Sequence, residues 1–479
     1  MFSCLAFIAL SSILALLLGE VFRWVVVKWR QHRMLSSLPG PSSASLLTTI
    51  LSLAGSSKDG LDVMVKMGNE QREAGNDFRV LESTTLMAKG QDYNIIKPLL
   101  GESIFKRWKE NRRILTNSLS TSSLQGFAPI MNNHVNVGEP TDVSQRLTQI
   151  LVKLLGSKPV GGLSELLKKC QFDMTCETLL GSSLDLQLDA NVEYLEAWAA
   201  FGDIVQGYAT NPFMWIPPIW TFIYKPRFLR AVDTVEKYTK KLVNDRIELR
   251  RAIANFRESR VTTFLDRLLD EWEEDRLGLG EVREHIESAL LAAVETTSTA
   301  VGWLLWCLAT NPEAAEKVTA ELYSVFGESE RICTFEDAKS LVYLEACYNE
   351  TLRLFPAAPL MERSLEEDFR IGEHSVPDGT EILIMPYVVH RNPQAYPDPL
   401  KFDPDRFTPE SIRKRNKTVP VPSNLVSCLP WMGEHSFLFV LPDPHGNQAT
   451  EVHVPMEAEI FFRRASARSS FDTPAIIME

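Results

Sequence analysis

The chain has 479 residues, enough for one large domain or two ordinary ones, and its 45% apolar residues can fill a substantial core. The formal net charge of -12 argues against a nucleic-acid-binding surface, so no nucleic-acid partner is expected. The 7 cysteines are scattered without a CxxC pair or zinc-like spacing, which favours a reducing compartment over a disulfide framework.

An uncharged and almost wholly apolar segment, residues 2–19, lies near the start of the chain. At about 18 residues it is just long enough to span a bilayer as a helix. A cleaved signal peptide is the alternative, but no basic region precedes the segment and no small-residue cleavage site follows it. The basic residues come after it, and the positive-inside rule therefore predicts a membrane anchor at 1–22 with the body in the cytoplasm. A basic and proline-rich hinge at 23–41 would separate the anchor from the body.

Apolar residues recur at three-to-four spacing through much of the body, which predicts a mainly α fold. Helices are expected at 163–180, 190–207, 232–256, 263–272, 285–310, 313–326 and 341–355. Short strands at 369–371 and 380–385, joined through the turn at 377–379, predict a small β region. An aromatic-rich segment at 211–226 indicates packing at the edge of the core or contact with a membrane interface.

A further helix, from about Ser103, would place Trp108 and Arg112 on one face, because they are four residues apart. An indole N–H and a guanidinium can both donate hydrogen bonds to an anionic group. A basic surface helix is the simpler interpretation of this motif by itself.

The helix at 285–310 is apolar on most sides, which is typical of a buried helix. Its middle carries Glu295 and Thr296, where a charge is costly unless it has a partner or a task. One interpretation is a buried glutamate paired with an arginine, with threonine hydroxyls bonded to the preceding turn. The other is a chemical role, since Ala292 and Ala293 leave room for a bulky group against the backbone.

Taken in order, these motifs resemble those of the cytochrome P450 superfamily of haem-thiolate monooxygenases. The matches are the anchor, the proline-rich hinge, WxxxR at 108–112, AxxETT at 292–297, ExxR at 350–353 and the FxPxRF segment at 402–407. The amino-acid sequence of residues 390–416 is most similar to that of the clan that contains the fatty-acid ω-hydroxylases. The resemblance implies a mainly α, P450-like fold with a small β region and a catalytic domain at 42–416.

The activity that the resemblance implies is insertion of one atom of dioxygen into a C–H bond of a lipophilic substrate, with haem as the cofactor. Electrons would come from an NADPH-dependent flavoprotein reductase, because the chain has no flavin or Rossmann fingerprint of its own. The location implied is the endoplasmic reticulum membrane, with the body facing the cytoplasm. Glu295 and Thr296 would be the acid–alcohol pair that relays protons into the dry pocket.

Cofactor-binding residues are likewise implied by the resemblance. Trp108, Arg112 and Arg363 would hold the haem propionates. Ala292 takes the position at which some members of the clan carry a glutamate that bonds the haem covalently. Because alanine has no carboxylate, non-covalent haem is expected.

A structural ion cluster is implied as well. Glu350, Arg353 and Arg406 resemble the buried acid and two arginines that lock a helix to the coil before the haem loop. A desolvated carboxylate shared by two guanidinium groups is costly to break.

The chain departs from the family at the loop aromatic-x-x-Gly-x-Arg-x-Cys-x-Gly, whose cysteine ligates the iron. Leu429–Trp431 and Gly433 echo the start of this loop, but Leu438 stands at the ligand position. Cys428, the last cysteine, comes before the aromatic residue, and His435 would give a different electronic site. No metal ligand is therefore assigned.

The tail at 417–479 diverges throughout, with a strand-like alternation at 451–462 and no long helix. An altered reading frame or a retained intron is one explanation, and a variant that has lost its iron ligand is another. The rival function is a catalytically inactive, membrane-tethered helical binding or scaffold protein whose haem iron has no thiolate ligand.

Overall fold

A computed structural model describes most of the chain between residues 163 and 418 and short stretches before it. The described residues are 26, 65–66, 87–89, 99, 114, 125–131, 163–215, 217–253, 262–327, 329, 331, 333–359, 361–365, 367–371, 374–393 and 395–418. The predicted anchor, the hinge, Trp108, Arg112 and nearly all of the tail lie outside them. The chain forms two compact units, residues 1–94 with 360–388 and residues 95–359 with 389–479.

The larger unit is helical in its described part. Its main helices are α1 (Leu163–Thr175), α2 (Val192–Thr210), α3 (Lys225–Ala252), α4 (Phe264–Glu273), α5 (Leu279–Thr310), α6 (Pro312–Phe326), α7 (Phe335–Ser340), α8 (Val342–Leu354) and α9 (Pro409–Thr418). A π-helical turn, Cys176–Leu180, continues α1. The prediction of a mainly α fold is confirmed for the described residues.

The helix predicted from about Ser103 lies outside the described residues. The seven predicted between 163 and 355 are present, with α5 beginning at Leu279 rather than 285, and the largest difference is at α3. This helix begins at Lys225 rather than 232, because Pro226 falls in its first turn, where a missing N–H costs nothing. At the start of α4, Thr263 and Asp266 form a capping box, and Thr334 and Asp337 form another at α7.

The aromatic-rich segment between α2 and α3 forms short helical turns, Pro212–Trp215, Pro217–Ile219 and Trp220–Tyr224. Trp220 packs edge-on against Tyr208, with ring centroids 5.2 Å apart. Phe222, by contrast, is 79% exposed. The segment therefore combines packing at the edge of the core with an apolar outer surface.

The core of this unit forms where α1 to α5 meet, and α5 is its centre. Ile286, Ala289 and Leu290 of α5 are fully or almost fully buried in it. A second cluster joins Leu167 of α1 to Leu305 of α5. Among the described helices α5 alone is long and apolar enough to cross a membrane, yet 56% of its most apolar window is buried inside the protein, as is common for a core helix.

The smaller unit holds β1 (Met87–Lys89), β2 (Met361–Leu365), β3 (Phe369–Ile371), β4 (His374–Val376) and β5 (Glu381–Ile384). Their antiparallel pairings give one sheet in the order β1-β2-β5 and a second of β3-β4. The predicted strands β3 and β5 thus belong to different sheets. The predicted turn connects β4 to β5, and Gly379 supplies its left-handed residue at φ 67° while donating its N–H to the carbonyl of Leu365.

Candidate active site

One face of α5 differs from the rest of this core helix. Ala292, Glu295, Thr296, Thr299 and Trp303, here called the α5 stripe, are half-buried. Spacings of three and four residues place them on one side of the helix. Their neighbours Ala293, Val294, Val301 and Leu305 are buried in the core. The small side chains among them, those of Ala292, Thr296 and Thr299, leave room for a bulky flat group to lie against this part of the helix.

Thr296 holds its hydroxyl close to its own helix. Its Oγ1 donates to the carbonyl oxygen of Ala292 at 2.6 Å, as the sequence allowed for a threonine bonded to the preceding turn. The hydroxyl proton is thereby engaged, while the oxygen keeps a lone pair that can accept a hydrogen bond.

Glu295 lies at the edge of the stripe and not in the core. Its side chain is 44% exposed, and its Oε2 lies 3.0 Å from Nζ of Lys168 on α1, whose side chain is 32% exposed. The interpretation of a buried glutamate paired with an arginine is therefore wrong in both respects. The physical reason is that a helix at the centre of a fold still presents one face that its neighbours do not cover fully.

This arrangement can move protons. The Glu295 carboxylate contacts solvent and can exchange protons with water, and the next residue supplies a hydroxyl oxygen that accepts a hydrogen bond. An acid in contact with solvent and a neighbouring alcohol on the half-buried stripe can therefore form a short relay from water to the face of α5.

Glu350 and Arg353 form a buried ion pair on α8. Arg353 donates from Nε to Oε2 of Glu350 at 2.7 Å and from Nη2 to Oε1 at 2.8 Å. Their side chains are 1% and 0% exposed. Such a bidentate pair fixes the guanidinium in one plane.

Arg353 also binds the coil that follows the smaller unit. Its Nη1 donates to the carbonyl oxygens of His390 and Pro399, both at 2.8 Å, and its Nη2 to that of Lys401 at 3.2 Å. The guanidinium lies over the ring of Tyr396, 5.0 Å from its centroid. Every N–H of this buried cation thus has an acceptor, and α8 is joined to the coil at several points.

Arg406 completes the cluster from that coil. Its Nε lies 3.4 Å from Oε1 of Glu350, and the backbone N–H of Asp403 donates to the same oxygen at 2.8 Å. The structure therefore brings together the acid and the two arginines that the sequence grouped, at the junction of α8 and the coil at 389–407.

A buried acid on α5, Glu287, was not found from the sequence. Its side chain is 0% exposed, and Arg283 Nη1 lies 3.0 Å from its Oε2 and 2.8 Å from Oε1 of Glu236 on α3. Burial raises the pKa of Glu287 to about 8. Arg283 opposes this shift, but its guanidinium is shared with Glu236. Nothing in the local sequence marks this residue, since its burial depends on how α3 packs on α5.

Arg363 lies in β2, where it is the register partner of Lys89 in β1 and of Ile382 in β5. The structure describes its backbone only. Trp108 and Arg112, the other residues expected at the propionates, lie outside the described residues.

Comparison with known proteins decides the family. The family model described as "Cytochrome P450" matches residues 77–422, more than half of the chain. Cytochrome P450 4V2 of Mus musculus is 31% identical over 367 residues, which cover 73% of this chain and 68% of that protein. Cytochrome P450 4c3 of Drosophila melanogaster is 29% identical over 367 residues, covering 72% and 66%.

The chain belongs to the cytochrome P450 family. A crystal structure of a cytochrome P450 (CYP102L1) superposes with a TM-score of 0.62 at 17% identity, covers 85% of this chain and 90% of that one, and supports the fold. The predictions of the superfamily and of the clan within it are confirmed. As a member of the P450 family, the chain is a monooxygenase with iron protoporphyrin as its cofactor.

The described residues fit one side of a haem site. The α5 stripe offers Ala292 and the inward-bonded hydroxyl of Thr296, and the Glu350 cluster holds the coil that precedes the family's haem loop.

None of the described cysteines fits the iron ligand. The five of them, Cys170, Cys176, Cys307, Cys333 and Cys347, are buried free thiols. Burial raises the pKa of the Cys307 thiol to about 12 and raises that of Cys347 as well, and both side chains lie in the core rather than on the α5 stripe. Among the residues that the structure describes, no cluster of histidine, cysteine and acidic side chains could hold a metal ion.

Proposed function

We propose that this P450 is membrane-bound and hydroxylates a lipophilic substrate with dioxygen, taking its electrons from a separate NADPH-dependent flavoprotein reductase. The observation that carries the proposal is the acid–alcohol pair Glu295 and Thr296 on the half-buried stripe of the central helix, in a chain of this family. Haem, when bound, supplies the activation of dioxygen.

The proposed role of Glu295 is to take up protons from water. Its carboxylate is 44% exposed, so a proton can reach it without crossing the core. Thr296 donates its hydroxyl proton to Ala292, and its Oγ1 would still accept a hydrogen bond through a lone pair. Both side chains lie on one stripe, and Thr296 would pass on its own hydroxyl proton, in exchange for the proton it receives, as its hydrogen bond to Ala292 opens.

The other residues would hold the site in shape. Glu350, Arg353 and Arg406 would keep the coil at 389–407 against α8, with a structural role only. Arg363, with Trp108 and Arg112 from the earlier part of the chain, would bind the haem propionates. Ala292 would let the ring lie close to the backbone of α5.

The proposed location is the endoplasmic reticulum membrane, with the anchor at 1–22, the hinge at 23–41 and the catalytic domain at 42–416 facing the cytoplasm. The support is the apolar segment followed by basic residues. The exposed side chains of Phe213 and Phe222, 62% and 79% accessible, add apolar surface to the body.

The cofactor and its ligand can be tested on the purified full-length protein. Reduction followed by carbon monoxide separates the two functions, because a strongly red-shifted Soret band shows a thiolate-ligated haem and supports the monooxygenase. A haem band without that shift, or no haem, would contradict the proposal and support the inactive binding protein as the function, since Leu438 stands where the ligand is expected. Extraction in acid should release the haem intact, because Ala292 cannot form an ester.

The relay can be tested by substituting Thr296 and a matched neighbour. With the reductase, NADPH and a saturated fatty acid as the lipophilic probe, Thr296→Val is expected to lower product formed per NADPH by about ten-fold or more. Thr297→Val, the same change one residue along α5, is expected to have little effect. Equal effects of the two variants would contradict the assigned role of Thr296.

A further inference from the structure

Two consecutive lysines of α1 have different partners. Lys169 Nζ lies 2.7 Å from Oδ1 of Asp189 and 3.2 Å from Oε1 of Glu165, both of which are mostly exposed. Lys168 Nζ instead lies 3.0 Å from Oε2 of Glu295, across the interface between α1 and α5. Lys168 is therefore the cation that meets the candidate proton-relay acid, and Lys169 is a matched lysine that does not.

The backbones on both sides of this pair are held by the core. Leu167, next to Lys168, is 4% exposed and belongs to an apolar cluster with Met174 of α1 and with Val301 and Leu305 of α5. Because these side chains fix α1 against α5, the reach from Lys168 to Glu295 is set by the packing of two helices and not by a mobile loop.

The pair also restricts the carboxylate. A glutamate on a half-exposed stripe can turn toward water in several rotamers, and an ammonium at 3.0 Å favours the rotamer that faces α1. The neighbouring Thr296 hydroxyl is held by Ala292 at 2.6 Å. The carboxylate and the hydroxyl, on consecutive residues of α5, are thus each held by a partner of their own.

We propose that Lys168 is a positioning residue for proton delivery, which holds the Glu295 carboxylate at the point from which it serves Thr296. The inference rests on the proposed function of Glu295. Lys168 itself touches neither the substrate nor the cofactor in this assignment, and it acts through the carboxylate alone.

The pairing can be measured without turnover, by acetylation of lysines in the full-length protein followed by mass spectrometry. Glu295→Gln is expected to raise the acetylation rate of Lys168 by about two- to five-fold, the effect of losing a half-exposed ion pair, and to leave Lys169 unchanged. Asp189→Asn should do the reverse. If Glu295→Gln leaves the rate at Lys168 unchanged, the pair does not form and the inference fails.

The positioning role is tested by product formed per NADPH in the reconstituted enzyme. Lys168→Met keeps the apolar stem and is expected to lower the ratio several-fold, Lys168→Arg to restore it, and Lys169→Met to leave it unchanged. In a Glu295→Gln background Lys168→Met should have no further effect, because the two residues act as one unit.

The outcomes separate the inference from the function on which it rests. A loss of product per NADPH in Glu295→Gln with none in Lys168→Met would overturn the positioning role and keep the relay. No loss in Glu295→Gln, or no product from the unaltered protein, would overturn both. An additive loss in the double variant would also overturn the positioning role, since Lys168 would then act elsewhere.

Discussion

Arg353 binds Glu350 through two parallel hydrogen bonds, of 2.7 and 2.8 Å, in a place where neither side chain reaches solvent. The remaining N–H groups of the guanidinium go to backbone carbonyls of the coil at 390–401. Two charges buried together are stable only while each satisfies the other, so the contacts between α8 and this coil depend on the pair staying intact.

Removal of the Arg353 guanidinium should therefore lower the free energy of unfolding substantially. Arg353→Met leaves the Glu350 carboxylate buried with only Arg406 nearby, and is expected to destabilise the protein by about 3–5 kcal/mol. The measurement is urea unfolding of the full chain. Arg331→Met is the matched control, because Arg331 pairs with Asp337 while its own side chain is 42% exposed, and the expected loss is about 1 kcal/mol or less. Equal losses in the two variants would contradict the assigned burial.

The buried carboxyl group of Glu287 should make the free energy of unfolding depend on pH. Burial raises its pKa to about 8 from an ordinary value of 4.5, so the folded state holds a proton that the unfolded state releases. The stability from this proton is fully present below pH 4.5 and is lost as pH rises through 8. Within that window the loss approaches about 1.4 kcal/mol per pH unit.

Glu287→Gln keeps the shape and removes this titration. Unfolding free energies of the variant and the unaltered protein, measured from pH 5 to pH 8.5, are expected to diverge in favour of the variant as pH rises. Ser288→Ala changes the next residue without changing a charge. Its unfolding free energy should differ from that of the unaltered protein by an amount that does not vary with pH. A constant offset for Glu287→Gln as well would show that the carboxyl is ionised throughout.

Two capping boxes of the same type differ in burial and allow a direct comparison. At α4, Asp266 accepts hydrogen bonds from Thr263 and from Nε and Nη2 of Arg246, at 2.9 and 2.5 Å from the arginine. At α7, Asp337 accepts from Thr334 and from the more exposed Arg331. Burial raises the pKa of Asp266, but the hydrogen bonds from Arg246 and Thr263 outweigh it and the net direction is downward.

Asp266→Asn is accordingly expected to cost about 3–5 kcal/mol, since it leaves Arg246 buried without its counter-charge. Asp337→Asn should cost about 1 kcal/mol, the usual range for an exposed cap and ion pair. Thermal unfolding of the two variants under one set of conditions gives the comparison. A smaller loss at Asp266 than at Asp337 would show that the cap, and not the buried pair, provides the stability.

Local patterns were enough for the helices and their caps. The apolar spacing of α1, α2, α5 and α8 reflects the face that each one buries, and the Thr334–Asp337 box depends on residues three apart. Strand pairing was harder, because each pairing depends on residues elsewhere in the chain. The sequence therefore predicted β3 and β5 but not that they belong to separate sheets.

The residues of the sequence motifs and their order along the chain determined the family of this protein. The ETT and ExxR motifs, in that order, indicate a P450 whether or not their contacts are known. What only the tertiary structure decided is which charges meet. That Glu295 faces Lys168 of α1, and that Glu287 is buried against Arg283, follow from the packing of helices far apart in sequence. Coulomb interactions and desolvation depend on distances in space, and no local pattern carries those distances.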